Sequence, residues 1–412
     1  MISIQSLGLL LFGFLMLAQG CSAQETGVQS GLVEKENPDI REIYTGADYL
    51  LRDPAQLAGK HLGLVVNQTS MVGGKHLVDT LLKLDIDILN IFAPEHGFRG
   101  QADAGEVVKD GVDVQTGLPI VSLYGSHKKP TSIDLEGIDL VIFDIQDVGA
   151  RFYTYISTLH YVMEACAEAG IEVLVLDRPN PNGFVVDGPV LDMAYTSFVG
   201  KHPVPVLHGM TVGEYAQMIN GEAWLSDGIQ CELSVIPCVN YTHNDRYSLP
   251  VKPSPNLPDD RAIACYPSTC FFEGTVISEG RGTDYPFQVF GAPELDSALC
   301  SFTFTPISKS GAKHPKFEGK PCYGFSIVDV PNDFEEQIGV NLNYLIHLYN
   351  LYPEPAVFFL ANGFFDKLAG GKELREAIIN GQTAEEIKAS WQDDLFAFKA
   401  KRKQYLLYPD FE

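Results

Sequence analysis

The sequence contains few basic residues for its length. Its 412 residues include 29 Lys and Arg against 53 Asp and Glu, which gives a net charge of −24. A protein that binds duplex nucleic acid needs a basic surface to neutralise phosphates, so the composition argues against that class. Apolar residues make up 45% of the chain and charged residues 20%, which is ordinary for a globular protein.

Several short motifs that mark common sites are also absent from the sequence. No GxGxxG follows the first predicted strand and no GxxxxGK[ST] occurs anywhere, which argues against nucleotide chemistry. The histidines lack HExxH and HxH spacing and the cysteines form no CxxC pair, so we predict neither a metal nor a cofactor. The GxSxG elbow of many serine hydrolases is missing as well.

Apolar runs long enough to span a membrane are missing too. The run Leu7–Leu17 is only eleven residues long and precedes Ala18-Gln19-Gly20-Cys21, which resembles a signal-peptide core followed by a bacterial lipobox. The match is imperfect, because residues 1–20 carry no Lys or Arg and Ala18 stands where Leu is usual. We predict a signal peptide at 1–20, a lipidated Cys21 and a polar tether at 21–40. The alternative is an ordinary cleaved signal in which Cys21 is incidental.

This prediction places the protein outside the cytoplasm, on the periplasmic side or the cell surface, and attached to a membrane only through its N-terminal lipid. Export implies an oxidising compartment. Seven cysteines remain after Cys21, an odd number, so at least one is free unless a bridge forms between chains. We interpret most of them as small buried residues, with one bridge allowed.

The first half of the mature chain alternates strand and helix patterns. Short apolar runs predict strands, and longer patterns between them predict helices, one of which ends at Gly170, a residue typical of a helix C-terminus. This alternation indicates βαβ units and a mostly parallel, doubly wound α/β sheet. The predicted strands are His61–Val66, Asp87–Ala93, Ile138–Asp144, Glu172–Asp177 and Glu232–Val239, and the helices are Lys75–Leu84 and Tyr153–Ala169.

Polar clusters follow the first four of these strands. In an open α/β sheet, ligands bind outside the carboxyl ends of the strands, so the clusters should converge on one crevice. Turn chemistry alone explains Asn, Asp, Gly and Pro, but it does not require Glu-His, Gln-Asp or Asp-Arg. The candidate site residues in these clusters are Asn67, Glu95, His96, Arg99, Gln146, Asp147, Arg151, Asp177 and Arg178.

The proline-rich stretch 253–258 predicts a boundary between domains 41–252 and 253–412. Beyond it, residues 272–283 are dense in Gly and polar groups and predict a second ligand-facing loop that contains Glu279 and Arg281. The remainder mixes a strand at Tyr323–Val330 with helices at Leu342–Leu351, Leu374–Ile379 and Ala384–Asp393. A last helix, Phe396–Tyr408, carries Lys399, Lys401, Arg402 and Lys403, which we interpret as a solvated face.

Seven strings, in order along the chain, resemble one family. They are FAPEHGFRG at 92–100, VSLYG at 121–125, FDIQDVGARFYTY at 143–155, VLDRPNPNG at 175–183, HGMTVGEYA at 208–216, PSPNLP at 253–258 and EGTVISEGRGTDYPFQVFGAP at 273–293. Together they resemble the exo-β-N-acetylmuramidase family, from about residue 45 to the YLLY at 405–408. One departure is Val276-Ile277, since the family usually reads EGTN before SEGRGT.

The resemblance implies a Rossmann-like catalytic domain and a smaller C-terminal α/β domain with the active cleft between them. It also implies an exo-acting glycosidase that releases terminal N-acetylmuramic acid from the non-reducing ends of peptidoglycan fragments, in cell-wall turnover and recycling. In the family the glutamate of the PEHG motif is the proposed catalytic residue, which here is Glu95. The implied partner is a peptidoglycan oligosaccharide, and the oligomeric state stays open.

Glycoside hydrolysis needs a carboxylic acid that protonates the leaving oxygen and a second group that serves the anomeric carbon. Glu95 is our general acid, since Phe92 and Phe98 beside it predict an apolar setting that keeps a carboxyl protonated. His96 either tunes it or is structural. The candidates for the second carboxylate are Asp147, Glu279 and Asp177. Retaining, inverting and substrate-assisted mechanisms all stay open.

N-Acetylmuramic acid also carries a lactyl carboxylate, for which arginine is a bidentate partner. Arg99, Arg151, Arg178 and Arg281 all lie in the motif clusters. We expect one or two of them to contact substrate in a locally positive pocket. The others would form ion pairs with neighbouring Asp residues, such as Asp177 with Arg178.

Two other functions compete with this interpretation. A non-catalytic sugar-binding lipoprotein for muropeptides would have the same export signal and a two-domain α/β fold, but no use for a protonatable carboxyl at the glycosidic oxygen. A Ser or Cys hydrolase of the peptide stem lacks its elbow motif, and Cys166 lies within a predicted helix.

The lipid anchor can be tested by Cys21→Ala. Because the lipid is the only predicted membrane attachment, the variant should leave the membrane fraction on cell fractionation, whereas Cys166→Ala should not. Recovery of a normally processed Cys21→Ala protein in the membrane fraction would contradict the prediction.

Overall fold

A computed structural model describes residues 41–99, 110–328 and 339–412 of the chain. The predicted signal peptide, Cys21 and almost all of the tether lie outside these residues. Glu42–Glu412 form one compact unit. Its largest hydrophobic core includes side chains from both sides of residue 253, from Val65 to Phe398. The predicted boundary at residue 253 stays a prediction.

A seven-stranded sheet forms the first half of the unit, in the order β5-β6-β4-β1-β7-β8-β9. All neighbours pair in parallel except β5 with β6. Along the chain, β4, β5 and β6 are added on one side of β1, and β7, β8 and β9 are then added on its other side. This order confirms the doubly wound α/β sheet. The strands are β1 Leu62–Val66, β4 Ile88–Ala93, β5 Gly111–Val112, β6 Pro119–Ser122, β7 Leu140–Asp144, β8 Glu172–Leu176 and β9 Leu233–Ile236.

The five strands predicted in this half are confirmed, although each is shorter than predicted. The predicted helix Lys75–Leu84 is partly wrong, because Lys75–His76 (β3) pair with Met71–Val72 (β2) as a hairpin and the helix (α2) covers Leu77–Lys83. His76 accepts a hydrogen bond from the Val78 N–H and so caps the helix start. Sequence analysis missed β6, whose exposed Pro119 weakens the apolar pattern.

Helices cover the sheet. The short α1 (Gly46–Leu50) and α4 (Val212–Gly221) each begin with a capping box, formed by Thr45 with Asp48 and by Thr211 with Glu214. The longest helix, α3 (Tyr155–Ala169), ends as predicted at Gly170, which adopts the left-handed conformation with φ of 68°.

The second half contains a three-stranded antiparallel sheet and six helices among the described residues. The strand order is β10 (Val289–Ala292), β12 (Cys322–Ser326) and β11 (Phe302–Phe304). The predicted strand Tyr323–Val330 is β12, and its last two residues lie outside the described ones. The helices are α5 Asp260–Thr269, α6 Asn343–Leu351, α7 Phe364–Ala369, α8 Glu373–Ile379, α9 Ala384–Ser390 and α10 Gln392–Arg402.

The C-terminal segment differs from the prediction of a solvated basic helix. Helix α10 ends at Arg402, and this side chain is fully buried: it donates to the Gly209 carbonyl at 2.7 and 2.9 Å and pairs with Asp410 at 2.9 Å. Tyr408 donates to Asp177 at 2.5 Å, so the chain end is fastened to the end of β8. Of the lysines, Lys401 pairs with Glu222 at 2.6 Å.

The seven cysteines after Cys21 are all free thiols, and six of them are buried. This agrees with their interpretation as small buried residues and leaves the allowed bridge unformed. Among the described residues, no helix has both the length and the apolar character needed to cross a bilayer.

Candidate active site

A cleft of about 890 Å³ opens beyond the carboxyl ends of β4 and β6. Loops from both halves of the chain line it, which agrees with the predicted position of the site. Four sequence-predicted residues lie in it: Glu95, His96, Glu279 and Arg281. The other polar and aromatic lining residues include Tyr124, Lys128, Tyr153, Thr154, Phe198, Ser254, Tyr266, Cys270, Glu273, Phe287, Lys313, His314 and Lys316.

Glu95 stands two residues after the end of β4. A turn closed by the Gly97 N–H donating to the Pro94 carbonyl at 2.9 Å presents its side chain at the sheet edge. His96 and Gly97 both adopt left-handed backbone conformations, with φ of 71° and 77°. That conformation costs a histidine free energy, and such strain concentrates at functional sites. His96 is buried, and its Nε2 lies 3.3 Å from the Ser254 hydroxyl oxygen.

Two hydroxyl groups hold the Glu95 carboxylate. The Thr154 hydroxyl donates to its Oε2 at 2.7 Å, and the Tyr124 phenol is its second hydrogen-bond donor. Burial, together with the charge of Glu95, raises the pKa of Tyr124, so the phenol keeps its proton. The half-buried carboxyl therefore has a fixed direction into the cleft.

Thr154 also occupies the N-cap position of α3; its side chain accepts no backbone N–H there, and its hydroxyl donates to Glu95. The positive end of the α3 dipole thus lies beside this carboxyl group.

The prediction that Phe92 and Phe98 form an apolar setting around Glu95 is wrong. Phe92 and Phe98 pack in two separate hydrophobic cores and do not line the cleft.

Glu279 is the second buried carboxylate of the cleft. Its oxygens lie 3.3 Å from Arg281 Nε and 3.3 Å from Lys316 Nζ. Burial would raise the pKa of Glu279, but the adjacent Lys316 and Arg281 hold it below its ordinary value. Glu279 is therefore ionised at neutral pH, unlike a general acid.

Both cations beside Glu279 are themselves anchored. Arg281 Nη2 lies 2.6 Å from the Glu273 carboxylate, and Lys316 donates to the carbonyls of Phe272 at 2.8 Å, Ile277 at 3.0 Å and Thr275 at 3.1 Å. These contacts fix the loop 272–283, which the sequence analysis predicted to face a ligand. Arg281 is therefore committed to two protein carboxylates.

The other two candidates for the second carboxylate lie away from the cleft lining. Asp147 is buried and accepts from the Gly149 N–H at 2.7 Å, and burial raises its pKa to about 7. Asp177 is fully buried; besides Tyr408, it accepts from the Thr211 hydroxyl at 2.6 Å and the Gly213 N–H at 2.8 Å. Burial raises the pKa of Asp177 to about 6. Both carboxylates organise loops behind the site.

Three of the four predicted arginines also have structural partners outside the cleft. Arg178 pairs with Asp144 at 2.6 Å rather than with the neighbouring Asp177. Arg99 pairs with Asp113 at 2.9 Å and lies over the Phe98 ring. Arg151 is fully buried and donates to the carbonyls of Pro189, Val204 and Leu368 at 2.7 to 2.9 Å. The ion-pair alternative thus holds for Arg178 and Arg99.

The two predicted amides shape the strand-end loops and lie outside the cleft lining. Asn67 Oδ1 accepts from the Thr69 hydroxyl at 2.6 Å and the Thr69 N–H at 2.8 Å. Gln146 donates to the Pro179 carbonyl at 2.7 Å and so links the loops after β7 and β8. Both amides therefore stabilise turns, which was the alternative to ligand binding for the strand-end clusters.

The thiols give no support to a cysteine nucleophile among the described residues. Cys166 is buried within α3, and Cys270, which lines the cleft, is buried as well. Burial raises the pKa of both thiols, which keeps them in the unreactive protonated form.

Two family models match the chain. "Exo-beta-N-acetylmuramidase NamZ, N-terminal" matches residues 62–261, and the C-terminal model of the same family matches residues 264–408. The peptidoglycan beta-N-acetylmuramidase NamZ of Bacillus subtilis is 42% identical over 384 residues, which cover 89% of this chain and 92% of that protein.

The chain belongs to the exo-β-N-acetylmuramidase family.

Its fold has also been seen in crystals. Two proteins of Bacteroides fragilis, described as DUF1343 family members, superpose with TM-scores of 0.83 and 0.75 at 45% and 30% identity. The matches cover 90% and 89% of this chain, and 100% and 99% of the crystallised chains. The family identification makes the protein a glycosidase, and Glu95 is the glutamate of its PEHG motif.

Several cleft residues were missed by the sequence analysis. Tyr124 follows β6 as Glu95 follows β4, so a correct strand prediction at 119–122 would have found it. Thr154 and Glu273 lie inside quoted strings but were not singled out. Lys128 and Lys316 give no sequence signal, because loops far from the predicted clusters carry them to the cleft.

The hydrogen bonds to Glu95 can be tested with Thr154→Val and Tyr124→Phe. Each removes one hydroxyl group that orients the Glu95 carboxyl, a hydrogen bond worth about 0.5–1.5 kcal/mol, so kcat should fall roughly 2- to 10-fold while KM changes little. Thr158→Val, one turn along α3, is the control and should keep kcat. Normal kcat in the Thr154→Val, Tyr124→Phe double variant would contradict a positioning role.

The buried Asp147 predicts a pH-dependent stability difference. Its pKa is about 7 in the fold against about 3.9 unfolded. Its stabilising contribution is therefore complete below about pH 4 and is lost as the pH rises through 7. Relative to wild type, Asp147→Asn should gain about 2–3 kcal/mol between pH 5 and pH 8 by urea unfolding. The exposed Asp53→Asn control should gain nothing, and a pH-independent difference for Asp147→Asn would refute the assignment.

Proposed function

We propose that this glycosidase releases terminal N-acetylmuramic acid from the non-reducing ends of peptidoglycan fragments. The observation that carries the proposal is the Glu95 carboxyl, aimed into the cleft by Thr154 and Tyr124 at the end of β4. A rigid strand end with two donors suits a group that must reach one glycosidic oxygen. The similarity to the Bacillus subtilis peptidoglycan beta-N-acetylmuramidase supports the substrate class.

In this mechanism Glu95 protonates the leaving oxygen as the glycosidic bond breaks. The transition state carries positive charge at the anomeric carbon, and the ionised Glu279 supplies the compensating negative charge across the cleft. Arg281 and Lys316 keep Glu279 ionised and fixed. The two carboxyl groups lie in different surroundings: hydroxyl groups contact Glu95, and cations contact Glu279.

The charge of the cleft supports an anionic substrate. On a chain of net charge −24, four cations, Lys128, Arg281, Lys313 and Lys316, outnumber the three carboxyl groups of the lining, Glu95, Glu273 and Glu279. A local concentration of cations draws an anionic sugar toward a surface that would otherwise repel it.

We further propose that the protein works outside the cytoplasm in cell-wall turnover and recycling, held at a membrane by a lipid on Cys21. The apolar run Leu7–Leu17 before Gly20-Cys21 supports this location. Peptidoglycan fragments are present on that side of the membrane, so the enzyme and its proposed substrate would share one compartment.

Glu95→Gln tests the reaction directly. With an N-acetylmuramyl-N-acetylglucosamine disaccharide, kcat should fall about 10²–10⁴-fold, the usual contribution of a positioned proton donor. A 4-nitrophenyl N-acetylmuramide should retain more activity, since its leaving group needs no proton. The exposed Glu136→Gln is the matched control and should keep normal turnover on both substrates.

Two outcomes would reject the proposal. One is a folded Glu95→Gln protein with near-normal turnover of the disaccharide. The other concerns exo action: on a longer glycan with muramic acid at its non-reducing end, the wild type should release one monosaccharide and stop at the exposed N-acetylglucosamine. Release of internal fragments would show endo cleavage instead.

A further inference from the structure

The carboxylates of the loop 272–283 are already paired with the cations nearest to them. Arg281 is shared between Glu273, at 2.6 Å, and Glu279, at 3.3 Å. Lys316 is held by Glu279 and by the backbone carbonyls of residues 272–277. Neither cation can turn to a substrate carboxylate without giving up one of the two ion pairs of the buried Glu279, which is costly.

Lys128 differs from these cations. Its ammonium group lies 4.7 Å from the centre of the Phe198 ring, and within the described parts of the chain it forms no hydrogen bond or ion pair. The next residue, Lys129, is tied to Glu164 at 2.8 Å and to Glu168 at 2.7 Å on α3. The loop is thus anchored beside Lys128, which lines the cleft with its charge uncompensated.

The aromatic ring under Lys128 is also fixed. The Phe198 carbonyl accepts from the Ser157 hydroxyl at 2.8 Å. Its ring stacks on Tyr161 at 6.3 Å and meets the edge of Tyr124 at 6.0 Å. Contacts therefore run from Lys128 through Phe198 and Tyr124 to Glu95 along one wall of the cleft.

We propose that Lys128 binds the lactyl carboxylate of the muramyl residue and that Phe198 holds the ammonium group in place for it. This inference rests on the proposed function of the same cleft. The lactyl ether is attached at C3 of the sugar and the bond to be cleaved is at C1, so the acid and the carboxylate-binding cation must be separated across the sugar ring. Two aromatic rings, Tyr124 and Phe198, lie between Glu95 and Lys128, which matches this requirement. Lys128, rather than one of the four predicted arginines, then recognises the carboxylate.

The test compares free N-acetylmuramic acid with its lactyl methyl ester, using the full-length protein. Calorimetric titration of the wild type should show the acid binding about 10- to 100-fold more tightly than the ester, the usual contribution of one charged hydrogen bond. In Lys128→Gln the two dissociation constants should become nearly equal. KM for the disaccharide should rise by a similar factor while kcat changes little, because the contact is made in ground and transition states alike.

Matched variants separate this role from a general charge effect. Lys128→Arg should retain most of the preference for the acid. Lys75→Gln, which removes an exposed lysine on β3, should retain all of it. A preference for the acid that survives in Lys128→Gln, or a wild type that binds acid and ester equally, overturns the inference. Failure of the wild type to hydrolyse the disaccharide would instead reject the proposed function, since the binding comparison needs no turnover.

Discussion

Parallel pairing of the central strands is the constraint on which the rest of the structure depends. Because β1, β4, β6, β7 and β8 run in one direction, all their carboxyl ends open at one edge of the sheet. Among the described residues, the loops after β4, β6 and β7 line the cleft, and the loops after β1 and β8 are hydrogen-bonded to the loop after β7. Glu95 and Tyr124 follow adjacent strands, β4 and β6, and for that reason their side chains meet. The hydrogen bond between them follows from the strand order.

Some polar groups at this edge pair with one another and hold the loops in place, whereas others line the cleft. Arg178 with Asp144, and Asp177 with Thr211 and Tyr408, satisfy each other's hydrogen bonds below the surface. Buried charges without such partners would cost several kcal/mol each. Their role is to hold the strand ends and the C-terminal segment in register, which keeps the cleft walls rigid. Glu95, in contrast, is only half-buried and lines the cleft.

The second half of the chain supplies what the sheet edge lacks. It brings the ionised Glu279, together with the cations that keep it ionised, to face a carboxyl group surrounded by hydroxyl donors. The cations near Glu279 are neutralised locally, whereas Lys128, which comes from the first half of the chain, forms no hydrogen bond or ion pair within the described residues. Arginines near the motifs mostly serve the fold, because a guanidinium can satisfy several buried carbonyls at once, as Arg151 does.

The sequence by itself determined the sheet, its sense of winding and the position of Glu95 just after a strand. Strand and helix periods are local properties, so the five predicted strands of the first half were found within a few residues, and Glu95 follows from the strand that precedes it. Local pattern could not show that Phe92 and Phe98 turn into separate cores, or that Asp147 and Asp177 lie behind the cleft, since either face of a loop is open to a side chain until packing decides. Only the tertiary structure decided the partners: Arg281 went to Glu273 and Glu279, Arg402 became buried, and Lys128 and Lys316 reached the cleft from loops without a motif. A charged side chain takes the partner that folding brings within a few ångströms, and sequence separation carries little information about that distance.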